Sequence, residues 1–300
     1  MSPTNTSDSP DRSGVRQWLG EHEVGVLVSP SVAWFVLFLV APLLVILAYS
    51  FFTYDNFSVK YALTLEPWMQ GVFTATVLEV FVRTVVIGAV VVGLTLLFGY
   101  PMAYFLRFYL SQTAGTLLLL FLIIPFWTSG VIRTIAWIPI LSNSGVINQV
   151  LISLGIIEEP LSILLFSPIS QLVGYLQNYL VFMAAPIYIS LSQIDEDLIA
   201  ASKTLRGGRF ATFRHVVWPL SLPGVVIGTI FVFVLSVGNF TVPQFLSGGE
   251  ATITTLIYLS VNQGLNYPVA SALSIALLVA IFVVVYGLTR IVDITEIGQV

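Results

Sequence analysis

The chain has 300 residues, of which 57% are hydrophobic and only 9% are charged, and its net charge is −4 at pH 7. A mean hydropathy of +0.97 excludes an ordinary soluble globular protein. The absence of cysteine excludes disulfides, thiolate metal sites and cysteine nucleophiles, and two histidines are too few for a histidine metal centre or a catalytic triad. The composition therefore indicates a polytopic membrane protein.

Residues 1–24 are polar and contain no apolar run, which predicts a flexible cytoplasmic tail rather than a cleaved signal peptide. Six apolar segments follow, and each reaches the ~20 residues that a helix needs to cross a bilayer. They lie at about 29–51, 78–105, 115–138, 161–190, 222–246 and 268–290. The sequence therefore predicts an all-α membrane domain over residues 25–300, with six transmembrane helices.

Basic residues are distributed unevenly between the two sides of these helices. With the amino terminus inside the cell, eight of the eleven Lys and Arg residues fall in cytoplasmic segments: Arg12, Arg16, Arg107, Lys203, Arg206, Arg209, Arg214 and Arg290. Because cytoplasmic loops are enriched in Lys and Arg, we expect both termini to be cytoplasmic in a plasma (inner) membrane protein. The connections 52–77, 139–160 and 247–267 are then external, and residues 146–154 form an amphipathic run in the second.

The stretch 193–219 is the main polar interruption between apolar segments, and it carries a large share of the chain's charge. Asp195, Glu196 and Asp197 are placed where a helix would begin, because the helix dipole favours negative charge there. Gly207 and Gly208 are placed to end that helix. Apolar residues recur at helical spacing through the stretch: Leu198, Ala201, Leu205, Phe213, Val216 and Val217. The pattern predicts a short amphipathic helical hairpin, although an ordinary solvated loop between membrane helices would carry similar charge.

The hairpin closes with Pro219-Leu220 and Pro223-Gly224. With this closing motif and the spacing of Phe213 ahead of it, the stretch resembles the cytoplasmic EAA loop by which permease subunits of ABC importers dock into their ATPase. Two positions depart from the family pattern, since Ala200 stands in the place of a glutamate and Arg206 in the place of a glycine. The resemblance assigns ATPase coupling to Glu196, Ala200, Ala201, Leu205, Arg206, Gly207, Gly208, Phe213 and Pro219.

The same resemblance implies a type I ABC importer permease fold and a set of partners. These are a cytosolic ABC ATPase dimer, a second permease subunit, an external solute-binding protein and the lipid bilayer, with no nucleic acid. The departures of Ala200 and Arg206 from the EAA pattern favour a heterodimer, in which the second permease subunit is a different chain. The sequence contains no GxxxxGK[ST] phosphate loop, so we expect this chain to bind no cofactor and its partner ATPase to use the ATP.

A second resemblance concerns the transported solute. Residues 125–137 read PFWTSGVIRTIAW, where a proline and a glycine interrupt an apolar helix, and Asn143, Gly145 and Asn148 follow as an NxGxxN run. Both features resemble spermidine/putrescine-type permeases, which implies a polyamine solute. In those relatives the position of Asn239 is often acidic, which leaves open another small solute such as an amino-acid-like compound, a phosphonate or ferric iron.

Polar and aromatic residues within the apolar segments are candidates for lining the translocation pathway, because polar groups in hydrocarbon are expensive. They are Trp127, Arg133, Gln171, Tyr175, Asn178, Asn239, Phe240 and Gln244. The polar members could equally join helices through hydrogen bonds, and the aromatic ones could anchor the protein at the membrane interface. Phe126, Trp127 and Phe240 could also stack on an organic cation.

Two other function classes fit the sequence less well. A secondary transporter driven by an ion gradient would want a carboxylate deep in a span, and only Glu79 comes close, one helical turn before Arg83. These two residues are expected to form a structural pair or, alternatively, to touch the solute. An intramembrane enzyme would need a nucleophile with a base or a metal cluster, and no such set of residues occurs.

Overall fold

The computed structural model describes residues 23–55, 58–204 and 208–291, and every structural statement here concerns those residues. The chain divides into two units, residues 1–49 and residues 50–300, which are described separately. The first unit contains α1 (Glu23–Phe35), a π-helical turn (Val36–Val40) and α2 (Ala41–Tyr49). Residues 28–49 are long and apolar enough to cross a membrane, close to the span predicted at 29–51.

The second unit begins with a two-stranded antiparallel hairpin of β1 (Phe52–Asp55) and β2 (Ser58–Leu63), in which Tyr54 pairs with Val59. A π-helical segment (Pro67–Val72) follows. The helices of this unit are α3 (Ala75–Phe108), α4 (Gln112–Ile123), α5 (Gly130–Ile135), α6 (Trp137–Leu141), α7 (Val146–Ser153), α8 (Pro168–Ser192), α9 (Glu196–Thr204), α10 (Arg209–Thr212), α11 (Trp218–Val237), α12 (Thr241–Leu246), α13 (Ile253–Asn262) and α14 (Tyr267–Ile291). A 3-10 turn (Ile124–Trp127) ends α4, and a π-helical segment (Phe213–Val217) joins α10 to α11.

The core of the second unit lies where α3, α8 and α11 pack against one another. Met183 is fully buried at this crossing, and two glycines let the neighbouring helices approach it. A Cβ on Gly228 would lie 2.9 Å from Met183 Sδ, and one on Gly99 would lie 3.2 Å from Met183 Cγ. Small residues at such crossings allow close backbone packing in membrane proteins, where lipid supplies no hydrophobic driving force between helices.

Short polar side chains fix several helix starts. Thr74 accepts a hydrogen bond from the Val77 amide at the start of α3, and Ser111 does the same for Ala114 at the start of α4. Capping boxes open α8, through Ser167 and Ser170, and α13, through Thr252 and Thr255. These caps satisfy amides that would otherwise lack acceptors at the first turn of each helix.

Within the described residues, six segments are long and apolar enough to cross a membrane: Val28–Tyr49, Ala75–Phe108, Gly130–Ser153, Pro168–Ser192, Arg209–Val237 and Tyr267–Arg290. The number agrees with the sequence prediction, but some boundaries do not. The continuous span predicted over 115–138 is wrong, because the helix ends at Trp127 and restarts at Gly130. The predicted interruption by Pro125 and Gly130 is the cause, and two consecutive apolar segments therefore replace one.

Two further boundaries were wrong by several residues. The predicted span 161–190 starts only at Pro168, because Phe166 has a left-handed φ of 53° and Ser167 caps the helix behind it. The predicted span 222–246 is two helices, since α11 runs from Trp218 to Val237 and α12 begins at Thr241. Pro219 is tolerated in the first turn of α11, where its missing amide hydrogen has no helical partner in any case.

The connections that the sequence predicted to be external contain more structure than the sequence indicated. Segment 52–77 contains the β-hairpin, and the Tyr54 hydroxyl donates a 2.8 Å hydrogen bond to the Gly264 carbonyl in the segment 247–267. That segment also contains α13, which was not predicted. The amphipathic run predicted at 146–154 is confirmed as helix α7.

Candidate translocation site and coupling hairpin

Two breaks in the apolar helices meet α8 in one region of the second unit. The first break separates the 3-10 turn from α5, and the second separates α11 from α12. Helix α12 packs against both α5 and α8. A Cβ on Gly174 of α8 would lie 2.7 Å from Leu246 Cδ1, so the missing side chain allows the close approach of α12. The break that the sequence predicted within residues 125–137 and the unpredicted break after Val237 are thus neighbours in the fold.

Asn239 joins three elements at the second break. Its Nδ2 donates a 2.7 Å hydrogen bond to the Tyr179 hydroxyl on α8, and its Oδ1 accepts a 2.8 Å hydrogen bond from the Val242 amide at the start of α12. The Thr254 hydroxyl of α13 donates to the Asn239 carbonyl at 2.9 Å. Because the Val242 amide must face an oxygen, the amide nitrogen of Asn239 must face Tyr179. These contacts favour the helix-joining interpretation of Asn239 over the pathway-ligand one.

Replacing Asn239 with alanine is expected to lower the stability of the protein by roughly 1–3 kcal/mol, because Val242 and Tyr179 each lose a hydrogen-bond partner. Thermal unfolding of the detergent-solubilised protein would measure the change. Asn262→Ala is the matched control, since Asn262 is exposed and its side chain donates a hydrogen bond to the Tyr258 carbonyl one turn earlier in its own helix. A selective rise in the solute KM with unaltered stability would instead make Asn239 a pathway ligand.

The three polar candidates on α8 are all buried within this chain. Gln171, Tyr175 and Asn178 are exposed by 4% or less. The Tyr175 ring stacks on Tyr179 with centroids 5.9 Å apart, and Asn178 Nδ2 donates to the Gly174 carbonyl at 2.9 Å. Gln171 Nε2 has no hydrogen-bond partner among the described residues. Their burial favours a role in helix packing over direct contact with a solute.

Arg133 lies on α5 against an aromatic corner formed by Phe126, Tyr179 and Phe182. Its guanidinium carbon is 4.3 Å from the centroid of the Phe126 ring, and Phe126 meets Phe182 edge-on at 5.0 Å. Tyr179 is close enough to Arg133 for an electrostatic interaction. Sequence reasoning did not single out Tyr179 or Phe182, although both follow Tyr175 at helical spacing. The first break is therefore held to α8 through aromatic contacts.

The remaining pathway candidates are exposed on the surface of the chain. Trp127 is 90% exposed, Gln244 is exposed on α12, and Phe240 is 38% exposed and stacks on Tyr258 with ring planes 11° apart. Exposure leaves them accessible to solute, lipid or a second subunit. The pair at the start of α3 forms as the sequence indicated, with Arg83 Nη2 and Glu79 Oε1 3.4 Å apart.

Asn148 and Gly145 of the NxGxxN run shape the turn between α6 and α7. Asn148 is fully buried and accepts a hydrogen bond from the Leu161 amide at 2.8 Å, while its Nδ2 donates to the Ser142 carbonyl at 3.1 Å. A Cβ on Gly145 would lie 2.5 Å from the Ile140 carbonyl oxygen. Both residues therefore shape the connection between α6 and α8.

The predicted hairpin is formed by α9, α10 and the π-helical segment. Asp195 Oδ1 accepts a 2.9 Å hydrogen bond from the Asp197 amide, and Glu196 and Asp197 occupy the first turn of α9, as predicted from the helix dipole. Leu205, Arg206 and Gly207 lie outside the described residues, and α9 ends before them at Thr204. The Ser202 hydroxyl lies 2.9 Å from the Thr212 hydroxyl and joins the two arms of the hairpin.

The hairpin is attached to the end of α3 by a residue that the sequence did not single out. Arg107 Nη2 donates to the Ile194 carbonyl at 3.5 Å, and Arg107 Nη1 lies 3.5 Å from Glu196 Oε1. The Arg107 side chain is only 16% exposed, whereas that of Glu196 is 82% exposed. The signal in the sequence that could have identified Arg107 is a lone arginine in the last turn of an apolar helix.

An aromatic cluster completes the attachment. Phe213 meets the Tyr100 ring edge-on at 5.9 Å and the Tyr104 ring at 6.1 Å, both on α3, and Trp218 lies 5.3 Å from Tyr100. The other side chains expected to couple to an ATPase are exposed: Glu196, Ala200, Ala201, Gly208 and Pro219. Among the members of the set that the structure describes, Phe213 is thus the inward-facing one, and it joins the hairpin to the membrane helices.

The packing of α11 against α8 explains the glycine in the closing Pro223-Gly224 pair. Gly224 is buried against α8, where an added Cβ would lie 2.4 Å from the Pro186 carbonyl oxygen and 2.7 Å from Ser190 Oγ. No side chain fits at that distance. The glycine of the closing motif therefore sets the contact between α11 and α8 directly behind the hairpin.

This geometry defines a polytopic membrane protein in which a small helical hairpin is fixed to a three-helix core. Residues 95–296 match the family described as the binding-protein-dependent transport system inner membrane component. The chain belongs to that family. It is a permease subunit of an ABC importer, a multi-pass inner-membrane transport subunit rather than an enzyme, and transport systems of this family work with an ATPase and a solute-binding protein.

Several relatives carry the name spermidine/putrescine transport system permease protein PotB, and two of them illustrate the similarity. The one from Salmonella typhimurium (strain SL1344) is 32% identical over 254 residues, which are 84% of this chain and 88% of the relative. The one from Escherichia coli (strain K12) is 32% identical over 248 residues, 82% of this chain and 89% of the relative. The inner membrane ABC transporter permease protein YdcU of the same strain is 28% identical over 297 residues, 92% of this chain and 94% of its own.

Solved structures show the same fold. A chain of a bacterial ABC transporter that imports the acidic polysaccharide alginate matches with a TM-score of 0.69 and 19% identity, over 93% of this chain and 98% of that one. A chain of the alginate transporter in complex with an alginate pentasaccharide-bound periplasmic protein also matches. Its TM-score is 0.68 and its identity is 17%, over 91% of this chain and 95% of that one. The type I importer fold expected from the hairpin is therefore confirmed.

Proposed function

We propose that this chain forms one half of the translocation pathway of an ATP-driven importer for a polyamine of the spermidine/putrescine type. The observation that carries the proposal is the 32% identity to permeases of that name over more than four-fifths of the chain. Related permeases could instead take an amino-acid-like compound, a phosphonate or ferric iron. The secondary-transporter alternative is set aside by the family.

The proposed pathway lies beside the two helix breaks, where polar backbone is tolerated because it lines a cavity or is buried in protein. Trp127, Phe240 and Gln244 are exposed there, and Arg133 and Asn239 are half-buried. Since Asn239 is neutral, recognition of an ammonium group at this level would depend on aromatic faces rather than on a carboxylate.

The hairpin is proposed as the coupling surface for a cytosolic ABC ATPase dimer. In this arrangement both termini are cytoplasmic, as the distribution of Lys and Arg favours, and an external solute-binding protein delivers the cargo to the opposite side. A second permease, proposed to be a different chain, completes the channel. This chain binds no ATP in the proposal. Closure of the ATPases pushes the hairpin, and Phe213 and Arg107 transmit the push to α3 and α11.

Purification from the membrane, with mass spectrometry of the co-purifying proteins, tests the partners. A P-loop ATPase and a second permease are expected, and both should be lost when Arg206 and Gly207 are replaced with bulky acidic residues. Reconstitution of the purified complex in liposomes then tests the solute by ATP-dependent uptake of labelled spermidine. Uptake that is competed by putrescine is expected. Uptake of an amino-acid-like compound, a phosphonate or ferric iron with no polyamine transport would contradict the polyamine proposal.

A further inference from the structure

The guanidinium of Arg133 occupies the face of an aromatic ring. Its carbon lies 4.3 Å from the Phe126 centroid, within the distance at which a cation is attracted by the ring. Phe126 is also in edge-on contact with Phe182, with ring centroids 5.0 Å apart. The stacked face is therefore presented in a defined orientation between α4 and α8.

The guanidinium is poorly satisfied in this position. Arg133 Nε and Nη1 are buried and have no hydrogen-bond partner among the described residues. None of the ion pairs found in the described part of the chain involves Arg133. Burying a charged donor without an acceptor is costly. The guanidinium of Arg133 has lost hydration at these nitrogens, and the contact with the Phe126 ring acts against that cost. The contact is accordingly one that another cation can replace.

The corner is accessible, and its arginine lies on a short helix. Phe126, Phe182 and Arg133 are half-buried rather than buried, and the exposed Trp127 adjoins them in the chain. Arg133 lies one turn after the helix break at Ser129 and Gly130, so its position depends on a short helix of six residues. The neighbouring Tyr179 hydroxyl donates to the Leu235 carbonyl and accepts from Asn239, which leaves the tyrosine in place if Arg133 withdraws.

We propose that the corner formed by Phe126, Tyr179 and Phe182 is a binding site for an alkylammonium group of the solute, and that Arg133 occupies it between transport events as an internal competitor. The inference rests on the proposed polyamine function. An ammonium group and a guanidinium bind the same ring face, and their like charges prevent both from being there. Entry of the solute therefore displaces Arg133 toward its exposed side, where water can satisfy its nitrogens.

The test compares two substitutions with opposite expected signs in the reconstituted complex. Arg133→Gln removes the competitor and should lower the KM for spermidine, whereas Phe126→Leu removes the ring face and should raise it. A cation–π contact of about 0.5–2 kcal/mol corresponds to a change of about 2- to 30-fold in each direction. The conservative variants Arg133→Lys and Phe126→Tyr should stay near wild type, because they keep the cation and the ring.

Arg83→Gln is the matched control, since Arg83 forms an exposed ion pair with Glu79 one turn earlier in its own helix. Should Phe126→Leu fail to reach the membrane, the lowered KM expected of Arg133→Gln, compared with the near-wild-type KM expected of Phe126→Tyr, still tests competition. Wild-type uptake of spermidine with an unchanged or raised KM in Arg133→Gln would overturn the inference while leaving the polyamine function intact. Absence of polyamine uptake by the wild-type complex would overturn both.

Discussion

Gly224→Ala is expected to lower the amount of folded permease in the membrane and to reduce uptake by at least about tenfold. The added Cβ would lie 2.4 Å from the Pro186 carbonyl oxygen and 2.8 Å from Ile187 Cα, so α11 must move away from α8. Overpacking of this kind costs about 1–3 kcal/mol and more where backbone atoms are the obstacle. Quantitative blotting of membranes and thermal unfolding in detergent measure the effect.

Gly93→Ala is the matched control, because it places the same methyl group on a membrane helix where no atom lies within 4 Å of the new Cβ. It should leave expression, stability and uptake unchanged, or stabilise α3 slightly, since alanine is the better helix former. Equal losses in the two variants would show that the α8–α11 contact is not the cause.

Arg107→Ala is expected to uncouple the transporter, with uptake reduced at least about tenfold while the assembled complex still hydrolyses ATP. The substitution removes the hydrogen bond to the Ile194 carbonyl, the contact with Glu196 and the packing of the arginine over the Phe108 ring at 5.3 Å. The hairpin then loses one of its two attachments to α3. The ratio of solute imported to ATP hydrolysed in liposomes measures coupling.

Glu196→Gln separates the ion pair from the rest of the attachment. An exposed ion pair contributes about 0–1 kcal/mol, and the Glu196 side chain is 82% exposed, so this variant should retain nearly wild-type coupling. The prediction is wrong if Glu196→Gln uncouples as strongly as Arg107→Ala, or if Arg107→Ala keeps the wild-type ratio.

Composition and hydropathy identified the membrane class and the number of spans because burial in lipid constrains long stretches of sequence strongly. They misplaced the limits of the spans where local backbone effects decide them. The left-handed Phe166 delays the start of α8, and Pro219 lies within the first turn of α11 instead of before the helix. The β-hairpin and α13 were missed because short elements in connections carry little periodic signal.

The candidate site was recovered in part. The acidic start of α9 and the break before Arg133 follow from local rules and were predicted, whereas the attachment of Arg107 to Ile194 joins residues 87 positions apart. The partner of Asn239 is 60 positions away on α8, and no local pattern specifies it. Side-chain roles that depend on tertiary contacts could therefore be assigned only from the structure. The burial of Gln171, Tyr175 and Asn178 is a further example.

Helix α8 is held at three levels: by Leu246 at Gly174, by Gly99 and Gly228 at Met183, and by Gly224 at Ile187. Gly174 and Ile187 are about 20 Å apart along the helix at 1.5 Å per residue. Contacts this close at both ends and the middle oppose sliding or bending of one helix past another. We therefore expect α3, α8 and α11 to turn as a single lever, so that a displacement at the hairpin would reach the far end of α8 with an amplitude set by the length of the bundle.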